Sequence, residues 1–174
     1  MLLDFDINST NNRNNTIFHN GNHSNKLKMA ILLGFDINSK NNRGNTIFHK
    51  GYHSDKLQFA IKYGFNIKCK DYCKGNTIFH RGNHSSKIEL ALINGFNPNS
   101  VDNDGNTIFH RGHHSDNLPL AIKYGFNINI KNKDGDTIFH KDHHQCHLQK
   151  AVIDWGFNIN SLNNFKKMNV IYQI

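Results

Sequence analysis

Ten of the 13 histidines in this 174-residue chain fall in His-x3-His pairs: His19/His23, His49/His53, His80/His84, His110/His114 and His140/His144. On a helix, two imidazoles at i and i+4 share one face and can hold a metal ion between them. In the first four copies a Gly stands between the two His (Gly21, Gly51, Gly82, Gly112), which argues against a continuous helix. No Glu of a metalloprotease-type motif accompanies the pairs. His113, His143 and His147 add imidazoles to the last two repeats, where an adventitious metal would be taken up most readily. Cys69-x3-Cys73 offers two thiolates, but zinc would need His ligands from elsewhere, so a reduced, unpaired pair is the simpler reading. No catalytic triad, phosphate loop or paired-carboxylate site is legible. The expectation is therefore no enzyme, no catalytic residue, no metal site and no cofactor.

The histidines belong to a repeat. The tetrapeptide TIFH starts at Thr16, Thr46, Thr77, Thr107 and Thr137, at intervals of 30 or 31 residues. In register with it run the second His, a Leu or Ile (Leu27, Leu57, Ile88, Leu118, Leu148), an Ala (Ala30, Ala60, Ala91, Ala121, Ala151) and a Gly-Phe pair beginning at Gly34, Gly64, Gly95, Gly125 and Gly156. Ten of the 13 Phe lie in the TIFH and Gly-Phe columns, so repeat architecture explains most of the unusual composition. The array divides into repeats 16–45, 46–76, 77–106, 107–136 and 137–167, with partial repeats at 1–15 and 168–174. LLDFDINSTNNRNN matches LLGFDINSKNNRGN of the next unit, and NVIYQ aligns with NTIFH. Both ends therefore read as incomplete, which fits a piece of a longer array or a decaying gene.

Each column has a local physical reading. The TIFH Thr is a candidate N-cap for a first helix of barely one turn, closed by the following Gly. A second helix of about ten residues is expected to start at Ser24, Ser54, Ser85 or Ser115 as N-cap. In repeat two, Leu57, Ala60 and Ile61 lie at i, i+3 and i+4, and Gly64 stops the helix. The Asn-rich stretches between Gly-Phe and TIFH read as turns and hairpin-like loops. Asn is so common across the chain that compositional bias explains it, and the tracts receive little structural weight. Repeat two carries one extra residue between Cys69 and Lys74, and repeat five one extra residue before Trp155. Helices this short are marginal alone, so stacking of neighbours must supply the stability.

GNTIFH, then HSxxLxxA, then GFNIN resembles the ankyrin repeat, whose pattern is G-x-T-P-L-H, G-H, an apolar helix and G-A-D-V-N. The resemblance covers nearly the whole chain. It implies an all-α class, an ankyrin-like repeat solenoid of short helix pairs with hairpin-like loops. It also implies structural roles for Thr46 with His49, Thr77 with His80, Thr107 with His110 and Thr137 with His140, which would hydrogen-bond neighbouring repeats together. Both His columns thereby receive structural posts. The departures are specific: the repeat is about 30 residues against the family's 33, and the missing residues, about 4.5 Å of helix, fall in the first helix. Ile replaces the family's Pro, and Phe replaces the small residue after Gly, where it can fill space left by the shortened helix.

The functional reading rests on charge. Net charge is +8 with neutral His, which favours acidic partners. One basic residue per repeat follows the TIFH His, at Lys50, Arg81, Arg111 and Lys141, with Asn20 in the first copy. Two positions on stand Tyr52 and His113. By resemblance these positions lie on the concave face that binds partners in ankyrin arrays, so Lys50, Tyr52, Arg81, Arg111, His113 and Lys141 are the candidate partner-binding residues. Arg81 and Arg111 read as rim charges whose replacement costs little folding stability. Tyr63, Tyr124 and Trp155 form a second candidate patch. The expected function is a protein-interaction module for an acidic protein partner. The alternatives are nucleic-acid binding through net positive charge, disfavoured because Tyr52 is the lone aromatic on the predicted face, and a His-rich metal-binding array. With three Cys, an acidic N-terminus and no run of about 20 apolar residues, the expected setting is cytoplasmic, without a membrane anchor.

Overall fold

The computed structural model of the chain describes residues 6–161, apart from positions 22, 82 and 141–143. Gly82, Lys141, His143 and the partial repeat at 168–174 lie outside the described residues. Among the described residues every regular element is helical and none is a strand, so the all-α class holds there. The elements are α1 (Leu27–Leu32), α2 (Leu57–Lys62), α3 (Ile88–Ile93), α4 (Leu118–Lys123) and α5 (Gln145–Asp154). A single 3-10 turn leads into each of the first four: Ser24–Lys26, Ser54–Lys56, Ser85–Lys87 and Ser115–Asn117. Among the described residues, none of the helices is long and apolar enough to cross a membrane.

The expected first helix does not form. In repeat two, His49 N–H reaches Thr46 O at 3.1 Å and Gly51 N–H reaches Phe48 O at 3.0 Å, two overlapping i to i+3 turns. The left-handed residues Gly51 and His53 follow at once, with φ of 81° and 60°. No residues remain for an i to i+4 bond, so the shortened segment stops at a turn. The serines are not N-caps either. The residue at the cap position is the left-handed His (His23, His53, His84, His114), and Ser opens the 3-10 turn without capping it. The helix stop is as expected: Gly64, at φ 88°, donates to Ile61 O, and Phe65 N–H returns to Ala60 O at 2.9 Å.

The two unequal repeats accommodate their insertions differently. Tyr72 N–H bonds Arg43 O as Asn42 N–H bonds Arg13 O, and Asn103 N–H bonds Lys74 O, so Cys73 is the extra loop residue and is exposed. In repeat five the extra residue enters the helix before Trp155, and α5 runs for ten residues against six in α1 to α4.

Ile47, Phe48, Leu57 and Ala60, and their counterparts in repeats three and four, are fully or almost fully buried. The Phe after Gly packs on the TIFH Phe of its own repeat. Ring centroids are 4.7 Å apart for Phe18/Phe35, 4.6 Å for Phe48/Phe65, 4.8 Å for Phe79/Phe96, 4.7 Å for Phe109/Phe126 and 4.5 Å for Phe139/Phe157. Tilted pairs at this separation are favourable beyond their buried area.

The asparagines also carry structure, contrary to the compositional reading. Asn38 donates from its side chain to Gly64 O at 2.9 Å and accepts from Asn66 N–H at 2.7 Å, both in the next repeat. Asn8, Asn99 and Asn129 make the same pair of bonds across their junctions. At the third of the five positions of this column stands Lys68, which cannot accept. Replacement Lys68→Asn should install the missing pair and raise stability by about 0.5–1 kcal/mol, a melting point about 1–4 °C higher. Asn99→Ala should lower it by a similar amount. Thermal melts of both variants check the assignment, and an unchanged melting point for Asn99→Ala would contradict it.

Candidate functional site

The two histidine columns link each repeat to both neighbours. The backbone N–H of Thr46 donates to His49 Nδ1 at 3.0 Å, and Thr46 Oγ1 lies 2.9 Å from the same atom. A backbone amide can only donate, so Nδ1 is unprotonated and Nε2 carries the hydrogen, which is given to Asn76 O of the next repeat at 3.2 Å. His19, His80 and His110 repeat the arrangement toward Asn45, Asn106 and Asp136. Thr137 and His140 show its first half, 2.9 Å between Thr137 N and His140 Nδ1.

The second histidines point the other way. Nε2–H of His53, His84, His114 and His144 donates to Phe18, Phe48, Phe79 and Phe109 O of the preceding repeat, at 2.7–2.8 Å. The hydroxyls of Ser54, Ser85 and Ser115 fill Nδ1 of His84, His114 and His144. The first junction is less complete, because His53 Nδ1 is buried without a partner. His53 and His49 thus bond through Nε2 to opposite neighbours. Among the described residues no group of three or more His, Cys, Asp or Glu is arranged to hold a metal.

Burial holds His49, His80 and His110 down at about 4, against the raising effect of their bonds to Asn76, Asn106 and Asp136 and of nearby Asp71 and Asp102. Burial also lowers His19, His84 and His114.

The candidate partner-binding residues do not form one line of free charge. Arg81 lies 3.8 Å from Asp71 and Arg111 lies 3.4 Å from Asp102, and both carboxylates are nearly buried. Lys74 and Asn76 N–H and the Asn76 amide hold Asp71 below the usual carboxylate range, against burial. Each Arg stands where the loop residue of the preceding repeat is Asp. Lys50, with Asn41 at that loop position, forms no ion pair among the described residues. Arg81 and Arg111, expected to be rim charges, are 51% and 39% exposed, and each faces a buried carboxylate.

Tyr52 lays its half-exposed ring over Gly21 of the preceding repeat, where a Cβ would come within 2.6 Å. His113 is half-buried beside His114, and His147 donates to Ser115 O at 3.1 Å. Lys141 and His143 are outside the described residues. Tyr63 and Tyr124 are each 44% exposed on the helix side, with Tyr63 stacked on Phe59 at 4.5 Å. Trp155 is half-buried, with Lys150 Nζ 5.9 Å from its ring.

Lys50 is instead grouped with Arg13 and Arg43, which sequence reasoning passed over. The three line a groove of about 690 Å³ beside the first two loops of the chain, at residues 11–15 and 41–45. The signal was present as the in-register runs NNRNN and NNRGN.

Fold and site together define a tandem helical repeat protein whose neighbouring units are tied by histidine and asparagine side chains. No protein-family model matches the chain, and no curated protein matches it.

Two outcomes follow from this geometry. The folded His pKa values lie below the unfolded value of about 6.5, so stability is complete above that pH and declines as pH falls from 6.5 toward 4. His49, His80 and His110 should each account for on the order of 1 kcal/mol between pH 7.5 and 5.5, lowering the melting point by about 6–12 °C in total. Equal melting points at the two pH values would refute the neutral, bridging assignment. Arg111→Glu should cost about 2 kcal/mol or more by setting a carboxylate against Asp102, whereas Lys50→Glu should cost under about 0.5 kcal/mol. Urea titrations of the two variants compare them directly.

Proposed function

We propose that the chain is an ankyrin-like scaffold, a solenoid of stacked repeats that binds an acidic protein partner and catalyses no reaction. The observation that carries this reading is the use of both histidine columns as links between consecutive repeats. The side chains best suited to chemistry are engaged in architecture, which leaves the variable surface positions to act by contact. Nearest-neighbour linkage is also what a repeat scaffold needs, since each unit is stabilised by the adjacent ones. The excess of cations, +8 over the chain, supports an acidic partner and salt-sensitive encounter. Free Cys69, Cys73 and Cys146 suit a reducing, cytoplasmic setting.

Affinity capture from nuclease-treated host extract, followed by binding of the recovered protein to the purified chain, tests this. The expected result is an acidic protein that binds saturably and whose dissociation constant rises severalfold between 50 and 200 mM salt. Capture of nucleic acid from a parallel untreated extract, with no protein retained once nuclease is added, would overturn the proposal.

A further inference from the structure

We infer that the groove lined by Arg13, Arg43 and Lys50 is the seat of an extended acidic peptide segment, an inference that rests on the protein-binding reading. Its ten lining residues are three cations and seven asparagines, with no carboxylate, aromatic or aliphatic side chain. All three cations are exposed, and none forms an ion pair among the described residues.

The site is confined to the N-terminal end by the sequence of the loops. The backbone bonds that join consecutive loops, Asn42 to Arg13, Tyr72 to Arg43, Asn103 to Lys74 and Lys133 to Asp104, place residues 13, 43, 74 and 104 in one column. That column reads Arg, Arg, Lys, Asp, and the matching residue of the next loop is Asp134. The loop position that is Asn11 and Asn41 beside the groove becomes Asp71 and Asp102 further along, where each faces its own Arg. An incoming carboxylate therefore meets uncompensated cations at the first two loops and negative charge at the later tips.

Arg13 and Arg43 sit one repeat apart, about 10 Å at ordinary packing distances. Three residues of extended chain span about 10 Å, so carboxylates at i and i+3 of a peptide reach both guanidinium groups, each able to bind bidentately. The asparagines match the rest of a peptide. Asn41 and Asn15 are hydrogen-bonded to one another, but the Asn20 and Asn45 side chains make no hydrogen bond among the described residues and can serve peptide N–H and C=O groups. A single-stranded nucleic acid would need a stacking platform, and the lining has none.

The test uses fluorescence anisotropy with a labelled 12-residue peptide carrying Asp or Glu at every third position, and an oligonucleotide of equal charge. The wild-type chain is compared with R13Q/R43Q/K50Q and with K26Q/K62Q/K123Q, which removes the same charge from the helix side; thermal melts verify that both fold. The groove variant should weaken peptide binding at least tenfold and the control less than twofold. Equal losses would show attraction by net charge alone, overturning the groove assignment while leaving an acidic partner in place. Failure of the wild type to bind the peptide would also overturn the groove assignment. Binding of the oligonucleotide at least tenfold more tightly than the peptide would overturn the protein-binding reading itself.

Discussion

The structure depends on imidazole in one tautomer. A neutral histidine with hydrogen on Nε2 is a donor at one edge and an acceptor at the other, and the repeat uses both edges. His49 closes its own turn through Nδ1 and reaches forward through Nε2, while His84 receives a serine hydroxyl at Nδ1 and reaches back to Phe48 O. Neither Asn nor Lys reproduces that geometry. An amide has no ring to set its donor and acceptor on opposite edges, and an ammonium has no acceptor edge. Protonation at His49 would place a hydrogen against the Thr46 N–H, a conflict that cannot be relieved by rotation as a hydroxyl partner's can.

Dependence on these bonds follows from the size of the repeat. With the TIFH segment reduced to a turn, each unit presents a six-residue helix in the first four repeats and few apolar side chains. The core is one continuous cluster from Phe18 to Phe157 to which each repeat adds a pair of Phe rings. Such a core gives each unit little independent stability. Buried polar links contribute the more because they lie between units and are shielded from water. The left-handed His at the helix entrance shows the strength of the arrangement. A φ near 60° is uncommon for a residue with a side chain, and four copies hold it. At His84 and His114 the ring is anchored at both edges in the preceding repeat.

Surface charge is organised by the same register. Substitution of Asn by Asp at positions 71 and 102, in the loops of repeats two and three, comes with Arg in place of Lys in the TIFH segment of the following repeat, so each buried carboxylate is faced by a cation. The cationic character of the chain is therefore unevenly available: paired in the middle, free beside the first two loops. Net charge fixes only the overall excess of cations, whereas the local pairing pattern decides which of them are left without a counter-charge among the described residues.

The sequence alone was sufficient for the repeat period, the extra residues near Cys73 and Trp155 and most of the buried Phe and Ile columns, while the bonding of Thr with His was implied by the family resemblance. These follow from identity at a fixed period, and identical units in identical surroundings must pack alike. It also led to an expected first helix, which the structure replaces by a turn because two left-handed residues end the segment before an i to i+4 bond can close. Three features became visible only in three dimensions: the direction of each imidazole, the asparagine bridges to Gly O, and the pairing of Arg81 and Arg111 with buried Asp71 and Asp102. Each joins residues about 10 or 30 positions apart, or specifies which edge of a ring meets which neighbour. Local propensity carries no information about either. A column shows that a residue type is required at every repeat, but only the stacking of one repeat on the next determines the atom it must reach.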